Sequence, residues 1–187
     1  MDLSLDHFGV LQIEPTDTCN LSCSMCAPHH EGWEQVHRVP KGRMDLALYE
    51  RILRGLAEDD CRFDHLIFQW LGDPSLHPEL ERMMGLAQDY LLGRVGYLRV
   101  DTNAIVLTPA RMSRLVEVYR RQPELPLLLV FTLDALSPET YLRVKGQDAL
   151  GRVRRHVRHL LRERARLAGE VRLNVELQFV VQDGNAH

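Results

Sequence analysis

Short apolar runs alternate along the chain with longer segments whose apolar residues recur three and four positions apart, about five times in all. Residues 10–13 form the first short run. Residues 44–56 carry Met44, Leu46, Leu48, Ile52, Leu53 and Leu56 at helical spacing, with Asp45 placed to cap them. Residues 65–71 read as a buried strand, ended by the turn Gly72-Asp73-Pro74. A helix is expected over 78–92, with Pro78 suited to its first turn and Gly93 just past its end. Then come a strand over 97–101, a helix opened by Thr108-Pro109 and running to about Arg121, and a strand over 127–133. Ser137-Pro138-Glu139 starts a short helix, residues 148–168 a longer one, and residues 171–181 alternate as a fifth strand. Residues 27–41 are polar and broken by Pro28, Gly32 and Pro40, so they read as a loop.

Strand and helix at this spacing predict an α/β fold of about five βα repeats, with a parallel sheet covered on its outer face by helices. The 187 residues, 45% of them apolar, suit one domain with a sizeable core. A formal charge of −3 gives no global attraction to nucleic acid or an anionic membrane. Apolar runs stay well short of the roughly 18 residues that span a bilayer, and the N-terminus lacks the basic-then-apolar order of a secretory signal. The one basic run has arginine at 152, 154, 155, 158, 162, 164 and 166. Val153, Val157, Leu160, Leu161 and Leu167 recur on one face of it, so the arginines read as the solvated side of an outer helix. Nucleic-acid contact is not expected there, and His156 and His159 need no special role. Trp33 and Trp70 read as packing aromatics.

The chemistry is concentrated in Cys19, Cys23 and Cys26, which follow the first strand in the run Glu14-Pro-Thr-Asp-Thr-Cys-Asn-Leu-Ser-Cys-Ser-Met-Cys. Three thiols in eight residues, in a chain without a secretory signal, read as a metal site in a reducing, cytoplasmic compartment. Thiolates are soft ligands that favour iron–sulfur clusters, and three of them leave one iron open to an outside molecule. Zinc is the rival, completed as a Cys3His set by His29 or His30. Cys61 stands apart as a free thiol.

The Cys-x3-Cys-x2-Cys spacing resembles the signature of the radical S-adenosylmethionine (radical SAM) enzymes. That resemblance implies a [4Fe–4S] cluster on the three cysteines, with S-adenosylmethionine (SAM) chelating the open iron. It also implies a partial (βα) TIM-like barrel, normally of six repeats. Residues 1–187 would then be a radical SAM core domain, truncated before its last repeat and any C-terminal domain. Further segments fit in order. Phe68 to Leu80 resembles the family's Gly-Gly-Glu-Pro motif, with Leu71 and Asp73 substituted, which implies contacts of Gly72 and Asp73 with the SAM amino group. Asp101-Thr-Asn-Ala resembles the family's Thr-Asn-Gly, making Asn103 a candidate for the ribose or for shaping the loop. Phe131-Thr-Leu-Asp through Lys145-Gly146 resembles Ser-Leu-Asp followed by Arg-Gly. It implies Thr132 and Asp134 near the polar end of SAM and Lys145 on its carboxylate, although Lys145 alone would read as a surface charge. Met25 matches a position that flanks the adenine.

Ile13-Glu-Pro-Thr through Cys26, followed by Lys41-Gly-Arg-Met-Asp45, is most similar to the SPASM-type group, many of whose members modify peptides or proteins. By this resemblance a low-potential donor, a flavodoxin or ferredoxin, supplies one electron. SAM is cleaved to methionine and a 5′-deoxyadenosyl radical, which takes a hydrogen atom from a substrate that the sequence does not identify. Two other readings stand: a non-catalytic iron–sulfur or zinc module, and a radical SAM enzyme acting on RNA.

Overall fold

The structure is a computed structural model and describes residues 6–29, 33, 41–167 and 169–186. His30 and most of the 27–41 segment lie outside the described residues. In chain order the elements are β1 (His7–Ile13), α1 (Leu46–Glu58), β2 (Arg62–Phe68), α2 (Leu80–Leu91), β3 (Val95–Thr102), α3 (Pro109–Arg121), β4 (Leu127–Thr132), α4 (Pro138–Lys145), α5 (Leu150–Arg166) and β5 (Leu173–Gln178). The five strands form one parallel sheet in the order β1-β2-β3-β4-β5. Parallel neighbours need a long crossover, and the helices supply each one.

The pairing register sorts side chains into two faces. Leu11, Leu66, Leu98, Leu127 and Leu173 form one row, and Ile13, Phe68, Val100, Leu129 and Val175 the next. Leu66, Phe68, Leu98, Val100, Leu127 and Leu129 are wholly buried beneath the helices, and this layer is the core. Between those rows, on the other face, Gln12, Ile67, Arg99, Leu128 and Asn174 are in register. The strands are therefore not uniformly apolar. The helix-covered face is greasy and the inner, concave-type face is mixed, as a partial barrel requires.

Capping fixes where the helices start. Asp45 Oδ1 accepts from Ala47 N (2.9 Å) and Leu48 N (3.1 Å), and Ser137 Oγ accepts from Thr140 N (3.1 Å). The second helix begins at Leu80, later than the sequence suggests. Asp73 first caps a 3-10 turn at Pro74–Leu76, and His77 Nδ1 then accepts from Glu79 N (3.2 Å), leaving Pro78 in the turn. β5 is shorter than expected because pairing ends at Thr132↔Gln178, beyond which Val180 N donates to Asp134 Oδ1 (2.7 Å). On α5 the seven arginines are exposed, while Leu150, Val153, His156 and Leu160 are buried. Among the described residues no helix is long and apolar enough to cross a membrane.

Candidate metal and cofactor site at the strand ends

The loop after β1 carries Cys19, Cys23 and Cys26, all half-buried and none in a disulfide. It is held from several sides. Met44 N donates to Pro15 O (2.8 Å), Thr16 Oγ1 to Gly42 O (2.8 Å) and Gly42 N to Asp17 Oδ1 (2.8 Å), so the Lys41–Asp45 segment clamps the start of the loop. Ser24 N donates to Val144 O (2.9 Å), tying the middle to α4. Gly146 closes α4 with φ +74°, and a side chain there would crowd Ser22, so a glycine is required on both counts. Met25 is half-buried in the same loop, and Cys61 is a free, half-buried thiol outside it.

The turn after β2 packs flush against this loop. A Cβ on Gly72 would lie 2.7 Å from both Asp17 C and Thr18 O and closer still to Thr16 O. Glu14 Oε1, at the end of β1, accepts from Leu71 N (2.5 Å) and Gly72 N (2.9 Å), and Asp73 N donates to Thr18 O (2.8 Å). The resemblance aims the Asp73 carboxylate at an ammonium, but here the protein itself engages it. Asp73 is 4% exposed and accepts from Ser75 N, Ser75 Oγ, Thr102 Oγ1 and Asn103 N at 2.5–3.1 Å. That carboxylate ties the ends of β2 and β3 together. Asn103, also buried, turns its Nδ2 to Asn20 Oδ1 (2.8 Å) and lies 3.9 Å from Cys19 Sγ, which binds the β3 end to the cysteine loop. Trp70, expected to pack, is instead 60% exposed beside this turn.

Lys145 is not a surface charge: its side chain is 3% exposed. Its Nζ lies 2.5 Å from Asp134 Oδ2 and donates to Thr132 Oγ1 (3.3 Å), so Thr132, Asp134 and Lys145 form one buried group at the end of β4. An ammonium has three donors, and these partners take two. Asp134 sits at φ +55°, held there by the bond from Val180 N to its carboxylate (2.7 Å) and that from Asn185 Nδ2 to its backbone carbonyl (2.8 Å).

Burial raises the pKa of all three thiols. Cys23 is pushed up to about 11 by desolvation, with the Lys145 ammonium opposing and Cys19, Cys26 and Asp134 adding to the rise. Cys26 is also raised by burial and pulled back by Lys145. Cys19 is raised by burial, against backbone donation from Leu21, with Asp73 and Cys26 adding to it. Cys23 and Cys26 thus share one buried cation, Lys145, while Cys19 feels Asp73 and Cys26 instead. Among the described residues no three His, Cys, Asp or Glu side chains converge tightly enough to hold a single metal ion. Ligands to different irons of a cluster need not converge that far. Three soft donors, a backbone cradle open only to glycine and an adjacent cation with a spare proton fit a thiolate-bound cluster that carries an anionic ligand.

The sequence reading passed over Glu14, Ser75, Thr102 and Gly146 as positioning residues. Thr102 and Gly146 lie inside the quoted motifs, and their neighbours carried the visible signal. Glu14 acts on a turn 57 residues away, which no local pattern reveals.

Fold and site together define a parallel βα protein with a three-thiol cofactor site at the C-terminal ends of its strands. The radical SAM superfamily model matches residues 13–171, and the chain belongs to the radical SAM superfamily. The cofactors of that family are a [4Fe–4S] cluster and SAM. A tungsten-containing aldehyde ferredoxin oxidoreductase cofactor-modifying protein from Pyrococcus furiosus is 27% identical over 176 residues, which is 94% of this chain and 44% of that relative. The chain thus spans less than half the length of that relative. Streptococcus suis SuiB bound to SAM superposes with a TM-score of 0.63 at 14% identity, over 95% of this chain and 36% of SuiB. BtrN in complex with AdoMet and 2-DOIA superposes with a TM-score of 0.53 at 21% identity, over 91% of this chain and 57% of BtrN. At these identities the two structural likenesses are likenesses of fold.

Proposed function

We propose that this chain is the cofactor-binding core of a radical SAM enzyme that modifies a peptide, a protein or another enzyme's cofactor. The observation that carries the reading is the gathering of Cys19, Cys23 and Cys26 against Gly72, Asn103 and the buried Lys145 at one end of the sheet. When bound, the cluster and SAM supply one-electron cleavage of SAM and removal of a hydrogen atom from the substrate.

The residues divide the remaining work. Cys19, Cys23 and Cys26 would hold the cluster as three thiolate ligands, one fewer than its irons, which would leave one iron to SAM. Lys145 would hydrogen-bond the SAM carboxylate through its third N–H, while Asp134 and Thr132 hold the ammonium in place. Lysine presents a point charge where a fork would grip two oxygens, so the contact orients without being bidentate. With the Asp73 side chain engaged by the protein, the backbone carbonyls of the 71–73 turn receive the SAM amino group. Asn103 fixes the cysteine loop rather than the ribose, and Met25 packs on the adenine. A flavodoxin or ferredoxin type of donor in a reducing cytoplasm supplies the electron.

Two names support the class of substrate: the Pyrococcus relative is called a cofactor-modifying protein, and SuiB has been solved bound to its precursor peptide SuiA. The test is anaerobic incubation of the reconstituted chain with SAM and dithionite, followed by quantification of 5′-deoxyadenosine. Formation that vanishes in Cys23→Ala is expected. Equal formation in the variant and the unsubstituted chain would sink the assignment.

A further inference from the structure

Beyond β5 the chain turns back against the end of β4, and the side chain of Asn185 ties the two together. Its Nδ2 donates to Asp134 O and to Val180 O (2.8 Å each), and its Oδ1 accepts from Gln182 N (2.8 Å). These partners fix which way the amide faces, because a main-chain N–H only donates and a carbonyl only accepts. Asn185 N closes the same turn on Gln182 O (2.9 Å). From α4, Arg143 Nε and Nη2 donate to Gly184 O (3.1 and 2.6 Å) and hold the turn in place.

The turn matters through Asp134. That residue is buried at φ +55°, a left-handed conformation that strains a side chain and persists only where the surroundings enforce it. Asn185 holds its backbone carbonyl, and Val180 N holds Oδ1 of its carboxylate (2.7 Å). The other oxygen, Oδ2, pairs with Lys145 Nζ (2.5 Å), whose second anchor, Thr132 Oγ1, is a longer 3.3 Å away. A lysine ammonium is a point charge on a flexible stem, so its bonded partners decide where it sits. The place of this buried cation therefore depends on an amide 51 residues beyond Asp134 in the chain.

We propose that Asn185 is a positioning residue for the SAM carboxylate: it locks Asp134 and thereby aims Lys145 at that group. The inference rests on the cofactor assignment above. Asn185 acts through Asp134 and Lys145, makes no contact of its own with SAM, and no covalent bond changes at it. Asparagine suits the task because one short side chain supplies two donors and an acceptor. Aspartate has the same shape but would set a carboxylate oxygen against two carbonyls.

The test is calorimetric titration of the anaerobically reconstituted full chain, and of Asn185→Asp and Asn185→Ala, with two ligands. S-Adenosylhomocysteine carries the amino-acid carboxylate, and 5′-methylthioadenosine is the same thioether nucleoside without the amino acid. Iron content is read alongside. Equal iron in the three proteins is expected, with 5′-methylthioadenosine bound equally by all of them. Both variants should bind S-adenosylhomocysteine about tenfold more weakly, the scale of one charge-assisted hydrogen bond. Equal affinity for S-adenosylhomocysteine in all three overturns the inference alone. Equal loss for both ligands, or loss of iron in both variants, overturns it by making Asn185 merely structural. An unsubstituted chain that takes up no cluster, or binds neither ligand, overturns the cofactor assignment and this inference together.

Discussion

Gly72→Ala is the sharpest perturbation of the contact between the β2 turn and the cysteine loop. The added Cβ would sit 2.7 Å from Asp17 C and Thr18 O, and closer to Thr16 O, all of them backbone atoms. An ordinary carbon–oxygen contact needs about 3.3 Å or more, so the two segments must separate by at least roughly 0.6 Å. Backbone cannot swing aside as the tip of a side chain can. The separation loads the bonds from Leu71 N and Gly72 N to Glu14 and from Asp73 N to Thr18 O. Overpacking costs about 1–3 kcal/mol, and weakening these bonds adds about 1 kcal/mol. A loss of about 3 kcal/mol corresponds to a fall of about 6–12 °C in thermal midpoint for a chain of this size. The same displacement misplaces Cys19, so iron uptake on reconstitution should fall with stability. The control is Gly55→Ala on α1, where a Cβ meets nothing within 4 Å. That change should stabilise by about 0.5–1 kcal/mol through helix propensity. Thermal melts and iron assays on both variants read the result. A Gly72→Ala protein that melts and loads like its parent would refute the close-packing argument.

Lys145→Met strands the buried Asp134 carboxylate and should cost about 3–5 kcal/mol in chemical denaturation; a loss under ~1 kcal/mol would mean that the pair is solvated. Burial would raise the pKa of Glu81, but hydrogen bonds and charge from Arg111, with Arg114 adding, hold it below its ordinary 4.5. Its contribution is therefore complete above that value and lost as pH falls through the lower folded value. Glu81→Gln should flatten the acid limb of stability against pH, and an unchanged limb would contradict the pairing. Ala104 is wholly buried at φ +61°. Ala104→Gly should change stability by less than about 1 kcal/mol, because relief of left-handed strain offsets a lost methyl. Ala104→Val should destabilise clearly on the same melts, since a branched side chain worsens the strain.

The parts of the fold that follow from local chemistry were legible in the sequence. The Asp45, Thr108 and Ser137 caps and the break at Gly93 set helix ends close to those found, because caps and left-handed glycines act within a few residues. The cysteine loop was legible because thiols at that spacing have few other uses. Less legible were the features made by long-range contact. Lys145 looked solvated because lysine usually is, and only the fold brings it to Asp134. The Asp73 carboxylate looked free because its partners Thr102 and Asn103 lie on another strand. The mixed inner face was hidden because Arg99 and Asp101 pair with each other (2.7 Å) on a strand that is otherwise mostly apolar.

The most direct test of the central claim is anaerobic iron–sulfur reconstitution followed by electron paramagnetic resonance of the reduced protein, with and without SAM. The account predicts a four-iron signal that changes when SAM is added, since three cysteines leave one iron open to it. Stoichiometric zinc with no cluster, or a cluster signal indifferent to SAM, would contradict it.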